Sequence, residues 1–459
     1  MNVNPITRLD YPDPDVIRVE DTYYMVSTTM HFMPGCEILQ SFDLVHWEHV
    51  TYVYETLDHT DAQQLKSGHN IYGQGMWAAS LRYHEGRFYI CFVANDTRKT
   101  YLYTSEKIDG PWKKQLIEGF YHDGSLLFDE DGRNYIVYGN DEIWITELNE
   151  DLTAPKKDGL HRLLVSDHKN PELGYEGSHI QKINGYYYIF LVHSLRDRWM
   201  RTEACFYSDS LEGEFTGGDV LCDDRGYCGQ GVAQGGIVDT PDGKWYAMLF
   251  QDSGAVGRIP ILVPVTWKDH FPVFGQNGHV PEEIEVHSTR PGYIYQPLVG
   301  SDDFCNGLLP RWQFNHDPDP RYYHLDALQG TYTITTREVC TELTQAVNTL
   351  TQRMSYPSCA AEVTVDASAL KEGDVAGLCA LQGCYAAVGI TKHHGKYEVL
   401  MLDKKEDGIL DMTEGTVVES HQMDFRLEAD FCNMKDEARC YYRVNKGDWL
   451  PIGTVHKLY

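Results

Sequence analysis

The feature that most constrains this chain is a strand–turn–strand unit that occurs five times in its first 260 residues. The second strands of the units read DTYYMVSTT, GRFYICFVAND, GRNYIVYGND, GYYYIFLVHS and GKWYAMLFQD. The strands before them read DVIRVE, ASLRYH, GSLLFD, GSHIQKI and GGIVDT. All are short and rich in aromatic and β-branched residues, and four of the five turns contain glycine, as tight hairpins do.

The spacing of these hairpins predicts a propeller. Their reference tyrosines are Tyr24, Tyr89, Tyr135, Tyr188 and Tyr246, which are 65, 46, 53 and 58 residues apart. Such intervals fit four-stranded blades with variable loops. Helical periodicity is scarce. We therefore predict an all-β fold in which residues 1–286 form a five-bladed β-propeller.

Equivalent positions in the five hairpins carry polar or aromatic side chains. Twelve residues before the tyrosine in four units, and eleven in the first, lie Asp13, Trp77, Asp123, Glu176 and Gln234. The innermost strand of a blade begins at the central channel, so these positions should converge there. Taken singly, Asp13 and Asp123 could be turn residues and Glu176 a solvated strand end, but converging carboxylates are costly to desolvate. Their shared register indicates a site.

Two carboxyl groups that face each other across a sugar can hydrolyse a glycosidic bond, one as base toward water and one as proton donor. A third can adjust the pKa of the acid. Aromatic side chains stack on sugar rings, and we take Trp77, His31 and Phe32 as candidate substrate-binding residues together with Gln234 and Arg258. Asp15 is a rival for Asp13, because it lies two residues on and faces the same side of a strand.

The chain resembles glycoside hydrolase family 43. The stretches that carry the resemblance are YPDPDVIRVEDTYYMVSTTMHFMPG, SFDLVHWE, GMWAASLRYHEGRFY, HDGSLLFDEDGRNYIVYG, GYEGSHIQKINGYYYIF and GGIVDTPDGKWYAMLF. The resemblance implies a five-bladed propeller and inversion at the anomeric carbon. It implies that Asp13 is the general base, Glu176 the general acid, and Asp123 the residue that tunes the pKa of the acid and orients it.

The chain departs from the family pattern at two positions. Asp15 stands where the family usually has a small hydroxyl residue. Gln234 replaces a histidine that in some relatives holds a cation in the channel. We therefore expect no metal and no cofactor in the chemistry, although an amide oxygen can still ligate a structural calcium.

The C-terminal half has a different pattern. Residues 287–301 (HSTRPGYIYQPLVGS) read as a linker. Residues 302–459 contain strands and hairpins such as AAEVTVDAS and YAAVGITKHHGKYEVLML, which indicate a β-sandwich. It resembles the accessory sandwich of the β-xylosidase branch, and we expect it to lack its last strands.

Composition limits the partners. The formal net charge of −29 argues against nucleic acid or an anionic membrane surface and suits a small neutral oligosaccharide. The N-terminus lacks a signal-peptide pattern, so we expect a cytoplasmic protein or a secreted one whose signal has been removed. The twelve cysteines show no metal-ligand spacing, and we expect most to be buried thiols. The sequence indicates no oligomeric state.

The resulting functional hypothesis is an exo-acting, inverting hydrolase that releases pentose from xylan- or arabinan-derived oligosaccharides. β-D-Xylosidase is the main hypothesis, and α-L-arabinofuranosidase, alone or combined with xylosidase activity, is the alternative. A non-catalytic carbohydrate-binding propeller is the alternative from a different class.

Overall fold

The computed structural model describes residues 3–413 and 415–459, which form strands and loops. Within these residues the helical elements are three single 3-10 turns, Gly254–Val256, Leu343–Gln345 and Cys432–Met434. No helix in this described part of the chain has the length and apolar character needed to cross a membrane.

Five four-stranded antiparallel sheets follow one another along the chain. The first contains β1 (Asp15–Val19), β2 (Thr22–Val26), β4 (Gly35–Ser41) and β5 (Glu48–Tyr54). Strand β3 (Phe32–Met33) is part of a separate three-stranded sheet. The second contains β6 (Met76–His84), β7 (Arg87–Ala94), β8 (Lys99–Ser105) and β9 (Lys113–Ile117). The third contains β10 (Ser125–Phe128), β11 (Asn134–Asn140), β12 (Glu142–Leu148) and β13 (His161–Ser166). The fourth contains β14 (Glu176–Ile183), β15 (Tyr186–Ser194), β16 (Arg201–Ser208) and β17 (Thr216–Leu221). The fifth contains β18 (Ile237–Asp239), β19 (Trp245–Asp252), β20 (Arg258–Lys268) and β21 (Phe271–Phe274).

The first strands of these sheets are neighbours around a common centre. Strand β1 contacts β6, β6 contacts β10, β10 contacts β14, and β1 also contacts β18 of the last sheet. Arg18 of β1 and Asp239 of β18 form an ion pair across that junction. The side-chain amide of Gln181 in β14 donates to the carbonyl oxygen of Ile237 in β18 at 2.7 Å. The predicted propeller architecture is confirmed, and the innermost strands start where the sequence register placed the candidate site.

Two local devices set the chain direction at those starting points. Asp13, Asp123 and Gln234 have left-handed backbone conformations, with φ values of 53°, 48° and 66°. In the second and fourth sheets the register instead shifts through a β-bulge, between Trp77 and Ser80 and between Glu176 and His179. Bulges redirect side chains at strand ends and are frequent beside active sites.

Residues 302–353 pack within the same compact unit as the five sheets. Its further strands are β22 (Gln313–Asn315), β23 (Tyr323–Asp326), β24 (Thr331–Ile334) and β25 (Leu350–Thr351). Strand β22 pairs with β3 on one side and with β25 on the other. The predicted boundary between residues 301 and 302 stays a prediction.

The second compact unit comprises Met354–Tyr459 together with two short segments, Arg8–Asp10 and Ser253–Gly257. Its strands are β26 (Ser358–Asp366), β27 (Val375–Leu381), β28 (Tyr385–His393), β29 (Lys396–Lys404), β30 (Leu410–Met412), β31 (Thr416–Val418), β32 (Gln422–Asp430), β33 (Glu437–Val444) and β34 (Leu450–Lys457). Strands β26, β32, β33 and β34 form one sheet, and β27–β30 with β31 form the other. Tyr385, Val399 and Phe425 are fully buried between them. The predicted β-sandwich is confirmed.

The expectation that most cysteines are buried is wrong. Four of the twelve are buried, three are half-buried and five are exposed. The exposed ones are Cys222, Cys228, Cys305, Cys340 and Cys432. Apolar flanking residues indicated burial for Cys91, but most of the others lie in loops or at sheet surfaces.

Candidate active site

Side chains from the starts of the innermost strands line one cavity. Asp13, Asp15 and Asp123 lie in its wall together with Gly177 and His179. Glu176 precedes Gly177 and joins the group through His122, which contacts both Glu176 and Asp123. The structure therefore brings together the three carboxylates that the register predicted.

Asp13 is held by two hydrogen bonds from opposite sides. Arg258 Nη1 lies 2.8 Å from Oδ1 of Asp13, and the hydroxyl of Thr28 donates to Oδ2 at 2.6 Å. Asp13 itself is buried. Two donors on separate oxygens fix the orientation of the carboxylate, one of them through a charge-assisted bond.

Asp123 is tied directly to the residue after Glu176. The backbone N–H of Gly177 donates to Oδ2 of Asp123 at 2.9 Å. Gly177 has a φ of 66°, and a Cβ there would lie 2.6 Å from Cγ of Gln234, so the contact requires glycine. Burial, with the charges of Glu176 and Asp13, raises the pKa of Asp123 to about 7.

Glu176 begins β14 and is the most accessible of the three acids, with about a fifth of its side chain exposed (21%). The side-chain amide of Asn140 donates to its Oε2 at 2.7 Å. The same oxygen lies 3.5 Å from Nε2 of His122. Glu176 is thus oriented from two sides and still faces solvent.

His122 is a site residue that the register of the hairpins missed. Burial alone would lower its pKa, but the hydrogen bond to Glu176 and the charges of Asp123 and Glu176 raise the pKa of His122 to about 9. At neutral pH it therefore adds a positive charge between two acids. The available signal was its place directly before Asp123 in the stretch HDGS.

Asp15, the rival of Asp13, is occupied by contacts between sheets. Its Oδ2 accepts from the backbone N–H of Leu81 and from Nη1 of Arg82, each at 2.7 Å. Asp15 is almost fully buried. These bonds anchor the first sheet to the second and give Asp15 a structural task.

The candidate binding residues fall into two groups. Trp77 lies beside the acids, with its ring 6.2 Å from that of His122. Gln234 packs against Gly177, and its backbone N–H donates to Oε2 of Glu203 at 2.7 Å.

His31 and Phe32 form a different contact group. Their rings lie 4.2 Å apart. His31 is buried against Tyr72 and His316, and burial lowers its pKa to about 3. A substrate contact for His31 or Phe32 stays a prediction.

A second arginine beside Arg258 was also missed. Arg201 is buried and contacts Asp252, whose other oxygen lies 3.4 Å from Nε of Arg258. Burial and the charge of Arg258 lower the pKa of Arg201 to about 10. Arg201, Arg258 and Asp252 form a charged rim beside Asp13, and Arg201 also lies in the electrostatic field of Glu176.

The side chains around Gln234 do not indicate a cation-binding site in the channel. One oxygen of Glu203 accepts the N–H of Gln234, and the Gln234 side chain packs on Gly177. Burial raises the pKa of Glu203 well above its usual value, so it is a weak anionic ligand. Among the described residues, a close group of three donor side chains is formed by His122, Asp123 and Glu176. Their mutual contacts, with one imidazole between two carboxyl groups, suit proton transfer.

Two family models match the chain. The sequence model of glycosyl hydrolases family 43 matches residues 3–272. The model described as a beta xylosidase C-terminal concanavalin A-like domain matches residues 301–458.

Individual relatives cover most of the chain. A beta-xylosidase from Formosa agariphila is 28% identical and covers 87% of this chain and 76% of its own length. A non-reducing end alpha-L-arabinofuranosidase from Bacteroides ovatus is 26% identical and covers 71% and 63%. The solved structure of a bifunctional GH43-CE protein from Bacteroides eggerthii is 42% identical, with a TM-score of 0.92 over 100% of this chain. The chain spans 59% of the length of that protein.

The family match covers more than half of the chain and the whole set of strands that carries the three acids. This chain belongs to glycosyl hydrolases family 43, whose members are inverting glycoside hydrolases.

Proposed function

We propose that this protein is an exo-acting hydrolase that releases single pentose units from xylan- or arabinan-derived oligosaccharides. β-D-Xylosidase is the main activity, and α-L-arabinofuranosidase is the alternative or an additional activity. The observation that carries the proposal is that Asp13 and Asp123 line one cavity, where His122 contacts both Asp123 and Glu176. The relatives named as xylosidase and arabinofuranosidase support the choice of a pentoside.

In this mechanism Asp13 is the general base. Its carboxylate, oriented by Arg258 and Thr28, takes a proton from a water molecule. The water oxygen attacks the anomeric carbon from the face opposite the leaving group, and the released pentose has inverted configuration.

Glu176 is the general acid. It donates its proton to the glycosidic oxygen while the bond to the anomeric carbon breaks, so the shortened oligosaccharide leaves as a neutral alcohol. Its partial exposure fits a residue that must meet the leaving group.

Asp123 positions Glu176 by accepting the backbone N–H of the next residue, Gly177. Its carboxyl group also places a negative charge beside Glu176 whenever it is ionised. His122 offsets the negative charge of the cluster. The pKa of Asp123 is raised to about 7, chiefly by burial, so the protonation of the cluster changes across the neutral range. No step requires a metal or an organic cofactor.

The alternative from a different class, a sugar-binding propeller without catalysis, makes a separate prediction. It binds pentosides without releasing product. The test is to assay 4-nitrophenyl β-D-xylopyranoside and 4-nitrophenyl α-L-arabinofuranoside side by side, with the Asp13→Asn variant as control. We expect turnover of at least one, with the xyloside preferred, and loss of turnover in the variant. Binding of both without turnover would contradict the proposal.

A further inference from the structure

The loop between β15 and β16 lies at the same end of the fourth sheet as Glu176. Glu176 pairs with Val192 in β15, and Val192 pairs with Glu203 in β16. The last pair before the loop, Ser194 with Arg201, lies two residues farther along the strands. At about 3.3 Å per residue, the loop begins roughly 7 Å beyond Glu176 along the strand direction.

This loop carries an exposed tryptophan. Trp199 has 43% of its surface exposed, and the guanidinium carbon of Arg201 lies over its ring, 5.0 Å from the centroid. Arg201 in turn belongs to the charged rim of the active site and lies in the electrostatic field of Asp13 and Glu176. One face of the indole is therefore covered by a site residue, while the side chain remains open to solvent.

Hydrogen bonds inside the loop fix the backbone around Trp199. The hydroxyl of Ser194 donates to the carbonyl oxygen of Arg198 at 3.1 Å and accepts the N–H of Met200 at 3.1 Å. The N–H of Leu195 donates to the carbonyl oxygen of Met200, also at 3.1 Å. The exposed indole is thus presented by a closed, internally bonded turn.

We propose that Trp199 is the stacking platform for the sugar on the leaving-group side of the scissile bond. The inference rests on the proposed function, in which Glu176 protonates the glycosidic oxygen. That oxygen must contact Glu176, so the leaving sugar extends past the Glu176 end of the fourth sheet, where Trp199 lies. A neutral pyranose ring presents C–H groups that pack on an indole face.

The test compares two substrates that share the cleaved xylose and differ in the leaving group. Xylobiose leaves a xylose, whereas β-D-xylopyranosyl fluoride leaves only fluoride. For Trp199→Ala we expect kcat/KM on xylobiose to fall about tenfold, the size of one aromatic contact, with the fluoride almost unchanged. Trp199→Phe should retain most of the xylobiose activity.

Tyr83→Ala is the matched control. Tyr83 has a similar exposure of 45% but lies near the far end of β6, away from Trp77. We expect no effect of this change on either substrate. Thermal unfolding of all variants distinguishes a loss of substrate binding from a folding defect. A folding defect in Trp199→Ala would lower kcat/KM equally on both substrates and would contradict the inference.

The remaining outcomes separate this inference from the proposed function. If the unaltered enzyme cleaves both substrates and Trp199→Ala leaves the ratio of their kcat/KM values unchanged, Trp199 is not a stacking platform, whereas the proposed function stands. If the unaltered enzyme cleaves neither substrate, the xylosidase function and this inference both fall.

Discussion

The Nε2 atom of His122 lies 3.5 Å from Oε2 of Glu176 and equally far from Oδ2 of Asp123. A single imidazolium therefore contacts two carboxyl groups of the site. Because its pKa is raised to about 9, the ring carries its charge through the neutral range and stabilises the ionised form of Asp123.

Removing this charge should change the titration of Asp123. In the His122→Phe variant the pKa of Asp123 should rise above about 7, because the positive neighbour that lowers it is gone. The measurement is a ¹³C titration of the Asp123 carboxyl carbon in both proteins. His122→Lys, which keeps a cation, is the control and should shift the midpoint less. An unchanged midpoint in His122→Phe would show that the imidazolium does not act on Asp123.

Ionisation of the Asp123 carboxyl group should lower the free energy of unfolding at neutral and alkaline pH. Its folded-state pKa of about 7 exceeds the value near 4 of an exposed aspartate, so the unfolded chain loses this proton first. Stability is therefore lost as the pH rises from about 4 to 7, and the cost is complete above 7. We expect Asp123→Asn to be more stable than the unaltered protein by roughly 2 kcal/mol near pH 8, and by less near pH 5. Calorimetry at both pH values checks this, and an equal difference at both would contradict it.

Substitutions of Asp15 and Asp13 should have different effects, the first mainly on the free energy of unfolding and the second mainly on kcat. Asp15→Asn breaks the buried contact with Arg82 and should lower the free energy of unfolding by roughly 3 kcal/mol. The folded fraction should keep most of its kcat. Asp13→Asn should abolish turnover with a smaller change in unfolding. Denaturant unfolding and kcat measured on both variants provide the check, and the reverse pattern would make Asp15 the base.

Arg258 should act by orienting the base. Arg258→Met removes the donor at 2.8 Å from Asp13 and should lower kcat about 100-fold, the cost of a misplaced reacting group. Arg258→Lys keeps the charge and should recover part of the loss. Arg18→Met removes a different ion pair between sheets, with Asp239, and is the control. If Arg18→Met and Arg258→Met lower kcat equally, the effect is structural.

The strand register predicted the three acids because the innermost strands begin at one centre and the hairpin tyrosines mark each start. The offset of twelve residues includes one extra residue in the second and fourth sheets. There the extra residue belongs to the bulge that follows Trp77 or Glu176 within the first strand. In the third and fifth sheets the extra residue lies in the hairpin turn instead, because Leu127 pairs with Tyr135 and Val238 with Tyr246, each eight residues apart. In the bulged sheets the corresponding pairs, such as Gln181 with Tyr188, are seven residues apart. Both devices preserve the offset that can be read along the chain.

The partners of the acids could not be predicted in this way. Thr28, Asn140 and Arg201 come from second or third strands and their loops, and they reach the site only because the sheets pack side by side. Nothing in their local sequence separates them from other polar residues at strand ends. Likewise, the pairing of β3 with β22 joins segments almost 300 residues apart and has no local signal.

The most direct test of the account is the dependence of Glu176→Gln on the leaving group. A general acid matters when the leaving oxygen needs a proton, so kcat/KM on xylobiose should fall about 10²–10⁴-fold. The same variant should lose far less on 4-nitrophenyl β-D-xylopyranoside, whose leaving group departs as an anion. Asp13→Asn, which removes the base, should be impaired on both substrates. Equal losses of Glu176→Gln on the two substrates would contradict the assignment of Glu176 as the acid.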